Sequence, residues 1–258
     1  MQGYNVRTNK IPKPVFEYNL RGASIGGPII PNKLFSLSAV SKERVSQPAT
    51  GLVANKPGQT AVPGVISQTI ADTLNALKTF LIDKFKYDPG SYQEYNYRTN
   101  SDKLTVRLDW NINSKNTFTI KYNYLKSLRD APASNSGAVG SRQPSNTGLP
   151  FSGNGYTINN NFNILIGELN TKISSKANNK FQMGYTALRD FRASQAGSDF
   201  PLVDILNGQG STYTSFGYEP FTYNNLLNTN IFQISDIFTY YAGKHELTFG
   251  TQIYIKRF

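Results

Sequence analysis

Apolar and polar residues alternate along much of the chain. Across 104–112, Leu104, Val106, Leu108, Trp110 and Ile112 point one way, and Thr105, Arg107, Asp109 and Asn111 point the other. Successive side chains of a strand turn to opposite faces, so this period of two predicts a strand with one apolar and one polar face. Phe118, Ile120, Tyr122 and Tyr124 repeat the pattern against Thr119, Lys121 and Asn123, and the polar segment 113–116 between the runs predicts a β-hairpin. The same reading predicts a pair at 167–173 and 180–191 around 174–179, and another at 230–240 and 245–256 around 242–244. An earlier pair is predicted at 17–25 and 33–42, turning through Gly26-Gly27-Pro28 and Pro31-Asn32, where glycine supplies positive φ and proline stops the ladder. In 230–240 the facing stays open, with Ile231 and Ile237 on one side and Phe232, Ile234 and Phe238 on the other.

The segments between these pairs are long, polar and rich in Gly, Ser, Asn and Pro: 44–101, 129–160 and 195–229. Short turns and long loops therefore take strict turns down the chain. Soluble β-sandwiches do not sort their connections this way, whereas outer-membrane barrels place short turns on the periplasmic side and long loops outside. Strands of about 9–12 residues suit a tilted crossing of a bilayer. The pattern predicts an all-β fold, an antiparallel transmembrane β-barrel portion of about eight strands occupying 1–258 as one domain. Leu104, Val106, Leu108, Trp110, Ile112, Phe118, Ile120, Tyr122 and Tyr124 are the expected lipid-facing residues, and Arg107, Asp109 and Lys121 the expected lumen-facing ones. Trp110, Tyr122, Tyr124, Tyr240, Tyr241 and Tyr254 fall near strand ends, where an interfacial girdle would place them. One helix is predicted over 64–86, since Ile66, Ile70, Leu74, Leu77, Leu81 and Phe85 share a face. Two roles are open to it: packing on the barrel rim, or acting as a lid or partner contact.

Hydrophobic content is 38% and no apolar run approaches the length of a spanning helix, which excludes a helical membrane protein but not a barrel. With Cys 0, disulfides, thiolate metal sites and cysteine nucleophiles are excluded. The formal net charge of +11 favours anionic partners. The basic residues are scattered singly, so outer-membrane lipid headgroups or an acidic ligand fit better than nucleic acid. The first residues, from Met1 to Val6, lack the basic start and apolar core of a signal peptide.

No catalytic set emerges. The single histidine, His245, sits beside a turn, and a triad would need a serine and a carboxylate converging on it. No calcium-loop or zinc spacing is present, and Gly153-Asn154-Gly155 lacks the rest of a dinucleotide fingerprint. The chain is therefore expected to be no enzyme and to need no cofactor. On the polar face, Arg107, Asp109 and Lys121 admit two readings, contact with a solute or a plain salt-bridged surface.

The segment Arg21-Gly-Ala-Ser-Ile-Gly-Gly-Pro-Ile-Ile-Pro-Asn-Lys-Leu-Phe35 carries a family signature. Through Gly22, Ser24, Gly26, Gly27, Pro28, Ile29, Ile30, Lys33, Leu34 and Phe35 it resembles a hairpin of TonB-dependent receptors, in particular the Oar-like group common in Bacteroidota. The segments 104–124 and 240–250 look similar to the same family. The resemblance implies an outer-membrane location, a plug domain, the energy-coupling partner TonB and a barrel of about 22 strands. It also implies uptake of a nutrient ligand, whose identity the loops do not disclose. With room for about eight strands, the chain is expected to be an N-terminal portion of such a barrel. The alternatives are a small closed eight-strand barrel with a structural or adhesive role, and a soluble β-rich module.

Overall fold

The computed structural model describes residues 15–258 together with the backbone of β1 (Asn5–Val6) and β2 (Asn9–Lys10); Met1–Tyr4, on which the leader reading partly rests, lie outside the described residues. Eight long strands follow as four hairpins. They are β3 (Glu17–Ile30) with β4 (Leu34–Pro48), β7 (Asn96–Asn111) with β8 (Asn116–Ala131), β9 (Tyr156–Ser174) with β10 (Ala177–Ser194), and β13 (Leu226–Ala242) with β14 (His245–Arg257). The first long connection, 49–95, holds β5 (Val53–Asn55), β6 (Ile66–Ile70) and helix α1 (Ala71–Phe85). The second, 132–155, holds a short 3-10 turn at Ser152–Asn154. The third, 195–225, holds β11 (Val203–Leu206) and β12 (Thr212–Phe216).

The eight strands pair antiparallel in the order β14-β13-β10-β9-β8-β7-β4-β3. β3 and β14 are the two edges, exposed along their whole length and not paired with each other. The closed eight-strand barrel considered above is therefore not what these strands form. They make an open arc.

Each strand is longer than the alternation suggests, from 13 residues in β14 to 19 in β9. Backbone ladders continue wherever φ and ψ stay extended, so the strands run on through Asn-, Ser- and Thr-rich ends where the apolar signal has stopped. The first hairpin turns later than its glycines suggest. Gly26 and Gly27 remain in β3, opposite Leu37 and Ser36, and the positive φ of 60° belongs to Asn32 in the turn. A Cβ on Gly26 would meet the Ser36 carbonyl at 3.0 Å, so glycine serves close strand approach there. Pro28 is tolerated because the β3–β4 register shifts between Pro28 and Ile30, an irregularity where a missing N–H is accommodated. The other turns tighten to 175–176 and to Gly243-Lys244, with Gly243 at φ 63°. The 112–115 turn is held by Asn113, whose Oδ1 accepts from the Lys115 and Asn116 amides at 2.9 Å each.

Directly opposed residues of an antiparallel sheet share a face. One row runs unbroken through Ile25, Ser38, Val106, Tyr122, Leu165, Tyr185, Phe232 and Ile255. The ambiguity in β13 is thereby resolved: Phe232, Ile234 and Phe238 join the apolar face, and Ile231 and Ile237 join the other. Large side chains of the apolar face stay uncovered, Ile25 at 78% and Phe249 at 63% exposure. The sheet completely buries none of them, and an apolar band of this breadth requires an apolar surrounding.

The buried core lies in the loops instead. Ala54, Leu74, Leu81, Tyr87, Leu149, Phe151, Ala196 and Phe216 pack together, drawn from all three long connections. The helix is shorter than predicted because Ile66–Ile70 pairs as a strand with β5. Its inner residues Leu74 and Leu81 are buried against the other loops. Lys86, at φ 55°, ends the helix in a left-handed cap, its amide donating to the Ile82 carbonyl at 2.9 Å. Among the described residues no helix is long and apolar enough to cross a membrane, which says nothing of strands.

Candidate functional site

The polar face of the arc gathers the charged residues that alternation places there. Arg107 and Asp109 lie two apart on β7, and the guanidinium grips the carboxylate with Nε–Oδ2 at 2.7 Å and Nη2–Oδ1 at 2.8 Å. The Thr119 hydroxyl, opposite on β8, donates to Asp109 Oδ1 at 2.7 Å. Lys121 stands opposite Arg107 and has no ion pair among the described residues. The next strands add Glu168 and Lys180, paired at 2.9 Å, with the Asn170 amide donating to Glu168 Oε1 at 2.7 Å. Asp109, Thr119, Glu168 and Gln182 form a single register row. The arrangement is a grid of paired charges beside Lys121, whose ammonium has no ion pair among the described residues.

Glu168 and Lys180 were not singled out from the sequence. In β9 the run Ile164-Leu165-Ile166 puts apolar residues on both faces, and that blurs the period of two. The register across from Thr119 is what identifies Glu168.

The expected apolar set is gathered on the opposite face. Leu104, Val106, Leu108 and Trp110 stand opposite Tyr124, Tyr122, Ile120 and Phe118 in turn. Ile112 sits just past β7 in the turn and is exposed. In the family-motif hairpin, Gly22, Ser24, Gly26 and Pro28 share the polar face with Phe35, while Gly27 shares the apolar face with Leu34; Lys33 is in the turn. His245 opens β14 opposite Ala242, exposed on the edge hairpin. Among the described residues no group of three or more His, Cys, Asp or Glu side chains is placed to hold a metal ion.

Above the arc the three loops form one folded cap. Tyr87 stacks on Phe200 with centroids 4.2 Å apart, and its hydroxyl accepts the Gly217 amide at 3.0 Å. Burial pushes the Tyr87 phenol up, and the Gly217 amide partly offsets this. Asp88 caps the turn after α1: the Gly90 amide and, secondarily, Lys78 hold its carboxyl below the usual carboxylate range despite slight burial. Arg142 of the second loop meets Asp204 of the third at 2.8 Å, deep in the cap. Glu219 is fully buried, with Oε2 accepting from the Phe221 amide at 3.0 Å and the Thr222 hydroxyl at 2.7 Å, and with Oε1 unpartnered among the described residues. Phe151, Phe200, Phe216 and Tyr87 are large aromatics inside otherwise polar loops, and that was the available signal that these loops fold.

The solved outer membrane transporter YddB from Escherichia coli shares this architecture, with a TM-score of 0.56 at 12% sequence identity. The match covers 93% of this chain and 26% of that one, so the chain spans about a quarter of its structural relative. No curated protein sequence matches the chain. The model of the outer membrane beta barrel domain matches residues 2–258, nearly the whole sequence. With its apolar outer band, its sorted turns and loops and this match, the chain belongs to the outer membrane β-barrel domain family and resides in the outer membrane.

Proposed function

We propose that the chain is part of the barrel of a TonB-dependent receptor of the Oar-like type, taking up a nutrient through the outer membrane. The observation that carries the reading is the open arc. In lipid, unpaired backbone donors and acceptors along β3 and β14 cost several kcal/mol each, roughly, so both edges call for further strands. The relative it overlays is described as a transporter and is about four times as long, in keeping with a piece of a larger barrel. The motif hairpin from Gly22 to Phe35 supports the same family.

In the intact receptor the apolar face meets lipid, the grid of Arg107, Asp109, Lys121, Glu168 and Lys180 lines the lumen, and a plug domain fills it. The cap of three loops stands outside, where it contributes to ligand capture. TonB supplies the energy coupling. The role is transport and not catalysis, and no cofactor takes part. Peptide-mapping mass spectrometry of the outer-membrane fraction tests this. Peptides continuing past both ends of the chain into a plug and additional strands are the expected result. A polypeptide ending at 1 and 258 that still resists detergent-free extraction would overturn it.

A further inference from the structure

The row just above the apolar belt, on its loop side, carries positive charge that has no ion-pair partner among the described residues. Arg21 of β3, Lys42 of β4, Asp102 of β7 and Lys126 of β8 are opposed in register and so stand side by side on the outer face. Arg44, one step higher on this face, already holds Asp102 at 2.7 Å. Arg21, Lys42 and Lys126 are exposed, and none is ion-paired among the described residues. Arg21 has one side-chain hydrogen bond, from Nε to Asn19 Oδ1 at 3.0 Å. Like charges directly opposite across a strand pair, about 4.8 Å apart, are unfavourable. Lys42 faces Asp102 on its other side, but Arg44 already holds that carboxylate, so an anion bridging Arg21 and Lys42 relieves the repulsion that remains.

The surroundings say which anion. Immediately below lies the row Ala23, Val40, Leu104 and Tyr124. Small side chains at 22 and 23 leave a groove of about 570 Å³ that runs from Arg21 and Lys42 down over Val40 and Leu104 to Tyr124, with Asp102, held by Arg44, and Lys103 also on its wall. From Leu34, at the turn end of the belt, to Lys42 the strand rises about 26 Å. At a tilt of about 40° that is about 20 Å along the membrane normal, close to the upper margin of a barrel's apolar band. A groove with cations at the headgroup level and an apolar floor below matches a molecule with a phosphate at one end and an acyl chain at the other.

We propose that this groove binds an anionic phospholipid or glycolipid of the leaflet on the loop side, Arg21 and Lys42 holding its phosphate while an acyl chain lies along Ala23, Val40 and Leu104. The arginine fork takes two phosphate oxygens and the lysine ammonium adds a point charge. The proposal rests on the reading that the apolar face meets lipid.

Native mass spectrometry of the complete detergent-purified protein tests it, with phosphatidylglycerol and phosphatidylcholine of equal chain length as probes. The parent protein should retain phosphatidylglycerol and release phosphatidylcholine. Each neutralised cation should weaken retention about five-fold, the weight of one basic side chain near an anionic surface, and Arg21→Gln/Lys42→Gln about 25-fold. Lys42→Gln alone gives the graded effect should the double variant assemble poorly. Lys121→Gln, on the opposite face, should change nothing. Equal retention by parent and double variant overturns the proposal, as does displacement of the lipid by millimolar inorganic phosphate, which has no acyl chain to use the groove. A nitroxide at Leu104→Cys separates the two levels of the argument. If the label is shielded from oxygen and open to a water-soluble nickel complex, the membrane-face reading itself fails; if it is lipid-exposed while retention is unchanged, only the headgroup site fails.

Discussion

Arg142 is the side chain on which the second and third long loops meet. Its Nε donates to both Asp204 oxygens, at 3.0 and 2.9 Å, and its Nη1 donates to the Ser134 and Ser136 carbonyls, both at 2.9 Å. The arginine side chain is 6% exposed and the aspartate 19%, so water screens the pair little. Arg142→Ala leaves Asp204 and two carbonyls without donors, and removing one partner of a buried pair costs roughly 3–5 kcal/mol. Hydrogen exchange should then rise across 132–155 and 195–225 while the strands stay protected. Arg142→Ala/Asp204→Ala should recover part of the loss, since it strands no charge. Exchange unchanged in the single variant would show that the aromatic core alone ties the loops. Nothing in the sequence marks this pair. An arginine within Gly140-Ser-Arg-Gln-Pro144 reads as one more polar loop residue, and its partner is sixty-two positions away.

At the scale of elements, the assignment of faces is the claim most exposed to test. Val106 and Ile120 sit on the apolar face of β7 and β8, Val106 opposite Tyr122 and Ile120 opposite Leu108. Val106→Arg places a guanidinium in the hydrocarbon region at a cost of roughly 2–4 kcal/mol, and Ile120→Asp adds a carboxylate to the same band. Both should reduce the assembled, detergent-resistant form in outer-membrane fractions. Thr105→Arg, one residue away on the polar face, should assemble normally. Equal assembly of all three variants would mean that the belt does not meet lipid. The hairpin of β7 and β8 was legible because Leu104 to Ile112 alternate without a break. The strand ends were not legible, because a ladder through Asn96-Tyr-Arg-Thr-Asn100 depends on backbone pairing with β4, which local polarity does not report. The first turn, read through both Gly26-Gly27-Pro28 and Pro31-Asn32, was drawn too wide for a related reason. Gly26 and Gly27 look like a turn in isolation, but Leu37 and Ser36 opposite them keep both in the extended strand. The helix was found with its start misplaced, since Ile66 and Ile70 fit its apolar stripe while pairing as a strand.

At the scale of the whole molecule, hairpin connectivity forces a polarity on the sheet. Four antiparallel pairs in chain order put the turns at 31–33, 112–115, 175–176 and 243–244 at one end, and the three long connections at the other. The cap core, made from all three connections, requires this, since Leu81, Phe151 and Phe216 could not meet otherwise. The two ends must therefore lie on opposite sides of the membrane. Gln209, at the tip of the β11–β12 hairpin beside Gly208 and Gly210, both in positive φ, is exposed and suits an inserted epitope. Ser114, exposed in the 112–115 turn, suits the matching insertion at the other end. Antibody applied to intact cells should label the Gln209 insertion and reach the Ser114 insertion only after the outer membrane is permeabilised. The reverse labelling would invert the topology. The cap would then face the periplasm, where it could not capture ligand from outside, and the row of Arg21 and Lys42 would move to the inner leaflet.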